Sequence, residues 1–228
     1  MKLLPFVLSL IAGSADVISF LGLGRLFVAH VTGNLILTAA HIVTGTAVSF
    51  AQLLSVPVFI LALGLTRLLV AGLEAVGLAS LQPLLLLQFL LLAGFLTLGV
   101  AAGPPVAPDA ANAVLAGMLG VSAMAVQNAL VQVSLKGAPS TAVMTTDITR
   151  FMMDVGEVLL RNNPARAAEA RRRARCTWPA IVGFTAGAGL GAACFAAVGL
   201  WSLALPAGLA LLALAMAVAS TIDGGRPR

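Results

Sequence analysis

The sequence predicts an all-α protein. It reads as a polytopic bundle of transmembrane helices made of two structural repeats, each with three spanning helices and one re-entrant or broken polar segment, the halves inverted. Three observations carry this. First, 60% of the residues are hydrophobic and 9% charged, with a mean hydropathy of +1.06, whereas a soluble domain carries about 25% charged residues. The 228 residues allow roughly six to eight crossings at about 20 apolar residues each. Second, a polar cluster recurs. Sliding Phe27 to Thr38 (FVAHVTGNLILT) over Thr141 to Phe151 (TAVMTTDITRF) aligns Ala29 with Ala142, Thr32 with Thr145, Gly33 with Thr146 and Asn34 with Asp147, and puts Gly24 on Gly137. Third, Gly103-Pro104-Pro105 through Asp109 is a turn-forming linker. It divides one transmembrane domain, 1–228, into repeat 1, about 1–102, and repeat 2, about 111–220.

Leu3 to Gly24 is the first span. Its start has the look of a secretory signal, but apolar sequence continues to Leu26, so a retained helix is expected. Asp16 then lies inside the membrane, where a carboxylate costs a few kcal/mol and faces a cavity or a partner. Next comes the cluster His30-Val31-Thr32-Gly33-Asn34. Thr and Asn favour helix caps, which predicts a helix from Leu35 with its positive dipole end at the tripeptide. Gly33 lets the backbone turn or a ligand approach closely. Ala51 to Leu73 is the second span, interrupted by Pro57 and Gly64. Arg67, near its end, reaches for an interface. Pro83 to Ala102 is the third span, leucine-rich, with no polar residue that asks for a functional role, and reads as scaffold.

The second half opens with Ala111 to Leu135, carrying Gln127 and Asn128 near the place Asp16 holds in the first half, allowing one residue in the following loop. These amides hydrogen-bond across helices or bind a polar solute. Ser140 to Leu160 follows the break at Lys136, Gly137 and Pro139. In it Asp147, Arg150, Asp154 and Glu157 share one helical face, which lines a cavity or lies at the cytoplasmic surface. Two spans close the chain, Trp178 to Leu200 and Leu203 to Ser220. Gly183, Gly187, Gly189 and Gly191 make the first a small-residue packing surface.

The two polar segments decide the symmetry. If both cross, there are eight spans and parallel halves. If both are re-entrant, there are six spans and inverted halves, with the tips meeting near the midplane, one from each side. The positive-inside rule favours the second: with the Arg161 to Arg175 loop inside, Lys2, Arg67, Lys136 and the C-terminal arginines are also inside and only Arg25 is outside. Both termini are then cytoplasmic. Non-helical backbone at that depth must be buried by protein or line a cavity.

Charge and composition exclude other classes. Arg161, Arg166, Arg171, Arg172, Arg173 and Arg175 against the single Glu169 account for the whole net charge of +5. Beside apolar segments such a run marks a cytoplasmic loop. Anionic lipid headgroups are a secondary partner, and nucleic acid has no supporting fold signature. Cys176 and Cys194 form no disulfide framework or metal site. His30 and His41 lack a third ligand at metal spacing and read as hydrogen-bonded histidines. No metal or other cofactor is expected. No Ser-His or Cys-His pairing points to an enzyme.

Gly13-x-x-Asp16, Phe20-Leu21-x-Leu23-Gly24, Phe27, Thr32-Gly33-Asn34, Gln127-Asn128 and Thr145 to Thr149 together resemble the YoaK-like family of uncharacterised multi-pass membrane proteins. The resemblance covers nearly the whole chain and implies a bacterial inner-membrane location. It also implies a glycine at the position of Thr146.

The function expected from these features is a small secondary transporter or channel-like permease for a small polar solute or ion, the site lying between the repeats. Its candidate residues are Asp16, His30, Thr32, Gly33, Asn34, Gln127, Asn128, Thr145, Thr146 and Asp147, with Asp16 and Asp147 candidates for proton or cation coupling. The other classes weighed are a membrane scaffold that offers its glycine-rich helix to partners, a second copy of the chain among them, and an intramembrane enzyme.

Overall fold

A computed structural model describes residues 3–103, 109–135, 144–160 and 163–224. Among these the chain forms α1 (Leu4–Gly22), α2 (Val31–Thr44), α3 (Phe50–Ala75), α4 (Leu81–Ala101), α5 (Ala111–Ser134), α6 (Met144–Leu160), α7 (Pro164–Val198), a short 3-10 helix (Gly199–Leu203) and α8 (Ala204–Gly224). Five stretches are long and apolar enough to cross a membrane: α1, α3, α4, α5 and the run Pro164–Thr221. The protein is a multi-pass membrane protein, helical throughout its regular elements among the described residues.

The last stretch has 58 residues, about 87 Å if it were straight, far more than the roughly 30 Å of a hydrocarbon core. It turns back at Gly199, whose φ of +59° suits glycine. The register of α1 on α7 demonstrates the turn. Phe6, Leu10 and Ser14 meet Gly183, Gly187 and Gly191 in succession, so the two helices run parallel. α1 is already at its end where Gly22 meets Phe195 and Leu200. α8 also packs on α1 and therefore returns along it.

The glycines explain how closely α1 and α7 approach. A Cβ added at Gly13 would strike the Phe184 carbonyl, and one added at Gly187 would strike that of Leu10. Without a hydrophobic drive between helices in lipid, such close backbone contact is what holds them. The packing surface expected on this helix is thus used inside the chain, except at Gly189, which faces open space.

α1 and α5 are the most buried of the spans and α3 the least. α5 lies against α3 and α4, and α4 against α8. α4 and α5 are antiparallel, since Gln88 meets Gln127 and Ser80 meets Ser134. α4 and α8 are antiparallel too, with Gly99 beside Leu203 and Gln82 bonded to Thr221. α1 and α5 oppose each other: Leu8 takes a hydrogen bond from Gln127, while Leu26, beyond the far end of α1, packs on Gly117.

Two expectations about segment ends change. α2 begins at Val31, not Leu35, so Thr32-Gly33-Asn34 forms its first turn. The expected capping is absent: no side chain caps α2, and Gly33 N–H turns to the His30 carbonyl at 2.8 Å. The basic run is also helical from Pro164 onward instead of a loop. Asn163 caps it by accepting from Ala165 and Arg166 N–H, Pro164 occupies the first turn, and alanine and arginine are strong helix formers. The break at 136–143 lies outside the described residues, as does the linker 104–108.

Candidate functional site

Between α1 and α2 the chain runs through eight residues, Leu23 to His30, outside any helix. Gly24 and Arg25 have φ of +67° and +61°, which ends α1 and sends the backbone back alongside it. The segment reaches Asp16, about 9 Å inside the end of α1 by helical rise. It then returns through α2 toward Phe50, whose N–H donates to Asp109 at the head of α5. Main chain at such depth must find partners for its polar groups, because an unsatisfied one costs several kcal/mol.

Four side chains supply them. Asp16 Oδ1 accepts from Val28 N–H and Ala29 N–H, each at 2.8 Å, and from His30 N–H at 3.4 Å. Ser19 Oγ donates to the Leu26 carbonyl at 2.8 Å. Asn34 Oδ1 accepts Phe27 N–H at 2.9 Å while its Nδ2 donates to the Phe27 carbonyl at 2.8 Å. Gln52 Nε2 lies 3.4 Å from the carbonyls of both Gly24 and Arg25. Asp16, Ser19, Asn34 and Gln52 are all buried. The intramembrane carboxylate is therefore held by main-chain amide donors.

One further bond gives this cradle a titratable face. His30 Nδ1 lies 2.7 Å from Asp16 Oδ2, so the carboxylate orients the imidazole. The ring stands edge-on to Phe184 of α7, centroids 5.1 Å apart, and Nε2 has no partner among the described residues. The pair borders a cleft of about 430 Å³ walled by Val17, Phe20, Leu21, Phe27 and Phe184. Gly33 lines it too and leaves room for the Phe27 ring, which would lie 3.0 Å from an added Cβ. The arrangement suits a flat, apolar body with one hydrogen-bonding or ionisable group.

The other expected site residues stand elsewhere. Thr32 is exposed. Gln127 is buried away from the cleft and links three helices, accepting from Gln88 of α4 at 2.7 Å and donating to the Leu8 carbonyl of α1 at 3.0 Å. α4 is thus not the plain apolar scaffold its leucines suggest. Asn128, half-buried, makes no hydrogen bond with the described residues. Thr145 and Thr146 are exposed in the first turn of α6, and Asp147 is buried there. α6 packs on α7, where Arg173 of α7 bonds Asp154 through Nε and Nη2 at 3.0 and 2.6 Å and meets Glu169 at 3.2 Å. Asp154 and Glu157 do not line the Asp16 cleft. His41 differs from His30: its Nδ1 is buried and has no hydrogen-bond partner among the described residues.

Ser55, Gln52, Gln88 and Phe184 escaped the sequence reading. Ser55 accepts from Asn34 Nδ2 at 2.9 Å and so fixes the amide that holds Phe27. A signal for it exists: Ser55-Val56-Pro57 recurs as Thr177-Trp178-Pro179, at matching distance from the second polar cluster once α7 is allowed its longer start. Among the described residues no group of three or more His, Cys, Asp or Glu side chains is placed to hold a metal ion.

Over residues 4–216 the chain matches the model of a family described as "Protein of unknown function (DUF1275)", and it belongs to that family. No curated protein and no solved structure matches it.

Proposed function

Starting from membership of a family without an assigned activity, we propose that this protein is a small secondary transporter or channel-like permease of the bacterial inner membrane. In this reading the solute binds in the Asp16–His30 cleft, and the pair takes up and releases a proton as the solute moves. The observation that carries it is the broken main chain at Gly24 to His30. Its polar groups are met by four buried side chains, yet His30 is left facing a cleft with Nε2 unpartnered among the described residues. Unwound backbone with an ionisable pair at membrane depth is the usual sign of a solute or proton path.

The reading includes two inverted repeats with both termini cytoplasmic. Packing supports it, because exchanging the halves reproduces the contacts: α1 with α7 and α8 corresponds to α5 with α3 and α4, and α2 on α3 corresponds to α6 on α7. The opposed directions of α1 and α5 agree. So does the offset, since 113 residues separate Val31 from Met144, the starts of α2 and α6, and also Thr32 from Thr145. Thr145, Thr146 and Asp147 would form the matching half of the site, and Gln127 its support. The cleft's walls narrow the expected solute to a small molecule with one polar group on a flat apolar body.

The test is proton movement into proteoliposomes holding a pH-reporting dye, after addition of small aromatic and aliphatic carboxylates and amines. At least one solute is expected to drive protein-dependent acidification. Asp16→Asn and His30→Gln should lower that rate about a hundredfold, the low end for loss of a positioned proton-transfer group, while Gly189→Ala keeps it. Unchanged rates in both site variants would refute the coupling role.

A further inference from the structure

The α6–α7 hairpin reaches past the start of α1. α7 has 35 residues, about 52 Å, and Phe6, near the start of the parallel α1, lies at Gly183, 19 residues into it. The N-terminal part of α7 thus begins ahead of α1, and α6 packs on α7. Between them lies a groove of about 250 Å³, its floor formed by Phe151, Val155, Val158 and Leu159 of α6. Among the described residues its charged lining is Arg171 and Arg175, one helical turn apart on the same face.

The charges around the groove separate into two kinds. Arg173 is matched by Asp154 and Glu169 and belongs to the hairpin's own structure. Arg171 and Arg175 are exposed and have neither an ion pair nor a side-chain hydrogen bond among the described residues. Trp178 closes the groove on the side where α7 becomes apolar, the level at which tryptophan gathers at a membrane surface. Two unmatched guanidinium groups above an apolar trough match a ligand with an anionic head and a hydrocarbon chain.

We propose that this groove seats an anionic phospholipid, its phosphate held between Arg171 and Arg175 and one acyl chain lying along Phe151, Val155, Val158 and Leu159. Guanidinium suits this because its planar donors grip phosphate oxygens in pairs. The groove adds to mere surface attraction a place for the chain, which fixes the lipid at one spot.

Trp178 provides the reporter, since Trp201 is the only other tryptophan. In a full-length Trp201→Phe background, emission is followed in vesicles of phosphatidylcholine mixed with phosphatidylglycerol, with bromine on the acyl chains of one lipid at a time. Brominated phosphatidylglycerol is expected to quench more strongly than brominated phosphatidylcholine. The preference should be about fivefold per arginine, from the usual attraction of one basic residue to an anionic surface. Arg171→Gln or Arg175→Gln should remove much of it and the double variant all of it, while Arg172→Gln, outside the groove, retains it. Soluble glycerol phosphate should not compete, which separates a whole lipid from a phosphate site. Equal quenching by the two lipids, full preference in the double variant, equal loss in Arg172→Gln or competition by glycerol phosphate would each overturn the proposal. Helical circular dichroism and monodisperse elution of each variant establish that it is folded before quenching is compared.

Discussion

Asn34 hydrogen-bonds both main-chain groups of Phe27, accepting its N–H at 2.9 Å and donating to its carbonyl at 2.8 Å, much as a neighbouring strand would. One side chain thus stands in for secondary structure where the chain has none. Removing it strands two polar groups in the membrane-depth interior, each costing about 1–3 kcal/mol. Asn34→Ala is expected to destabilise the protein by roughly 2–6 kcal/mol, read from thermal unfolding in detergent. Asn34→Asp keeps the acceptor and loses the donor, so its loss in melting temperature should fall between wild type and Asn34→Ala. A wild-type melting temperature for Asn34→Ala would mean the loop is held by other means.

The α1–α7 contact makes an opposed pair of expectations. Gly187→Ala places a methyl group against the Leu10 main chain, which cannot rotate away, and overpacking of this kind costs about 1–3 kcal/mol. Gly189→Ala meets nothing within 4 Å and gains about 0.5–1 kcal/mol from better helix propensity. Unfolding of the two variants side by side should give shifts of opposite sign.

Gln88 and Gln127 are buried and joined at 2.7 Å, so their substitutions should not add. Gln88→Leu deprives Gln127 Oε1 of this donor, and Gln127→Leu deprives Gln88 Nε2 of its acceptor. Each single change is expected to cost about 1–3 kcal/mol. The double variant should cost less than the sum, with a coupling of about 0.5–3 kcal/mol. A double-mutant cycle of unfolding free energies measures it, and strict additivity would contradict the bond.

Arg25 has a φ of +61°, a conformation that costs an L-residue about 1–2 kcal/mol relative to its usual states. Its side chain is exposed and makes no hydrogen bond among the described residues. Arg25→Gly is expected to raise the melting temperature, although the unfolded chain gains freedom that offsets part of the benefit. A fall would point to an unrecognised role for the guanidinium group.

The sequence disclosed the helical membrane class because lipid admits few spanning structures and apolar length reports them directly. It also disclosed Asp16, His30 and Asn34, since a polar group in an apolar run is conspicuous wherever it falls. Their partners were another matter. Asn34 to Ser55 and Gln88 to Gln127 join residues 21 and 39 positions apart, and nothing in local periodicity says which faces will meet. Gln88 is as visible among its leucines as Asp16 is in α1, but its role depends on Gln127, 39 positions away. The start of α2 was missed for a related reason: Thr32 and Asn34 are favoured as caps by their chemistry, but tertiary contact draws Asn34 back to Phe27. Charge alone marks the basic run as a loop, whereas its alanines and its Asn163-Pro164 start favour helix.

The pairing of α1 with α7 bears on how the protein is made. Roughly 170 residues separate Gly13 from Phe184. At about 5–20 residues per second, the ribosome leaves α1 without its principal neighbour for on the order of ten seconds. The Asp16 cradle is complete long before then, because every group in it lies between Asp16 and Gln52. The first half can therefore enter the bilayer with its carboxylate already matched and wait there, and the glycine seam closes only when the late helix arrives.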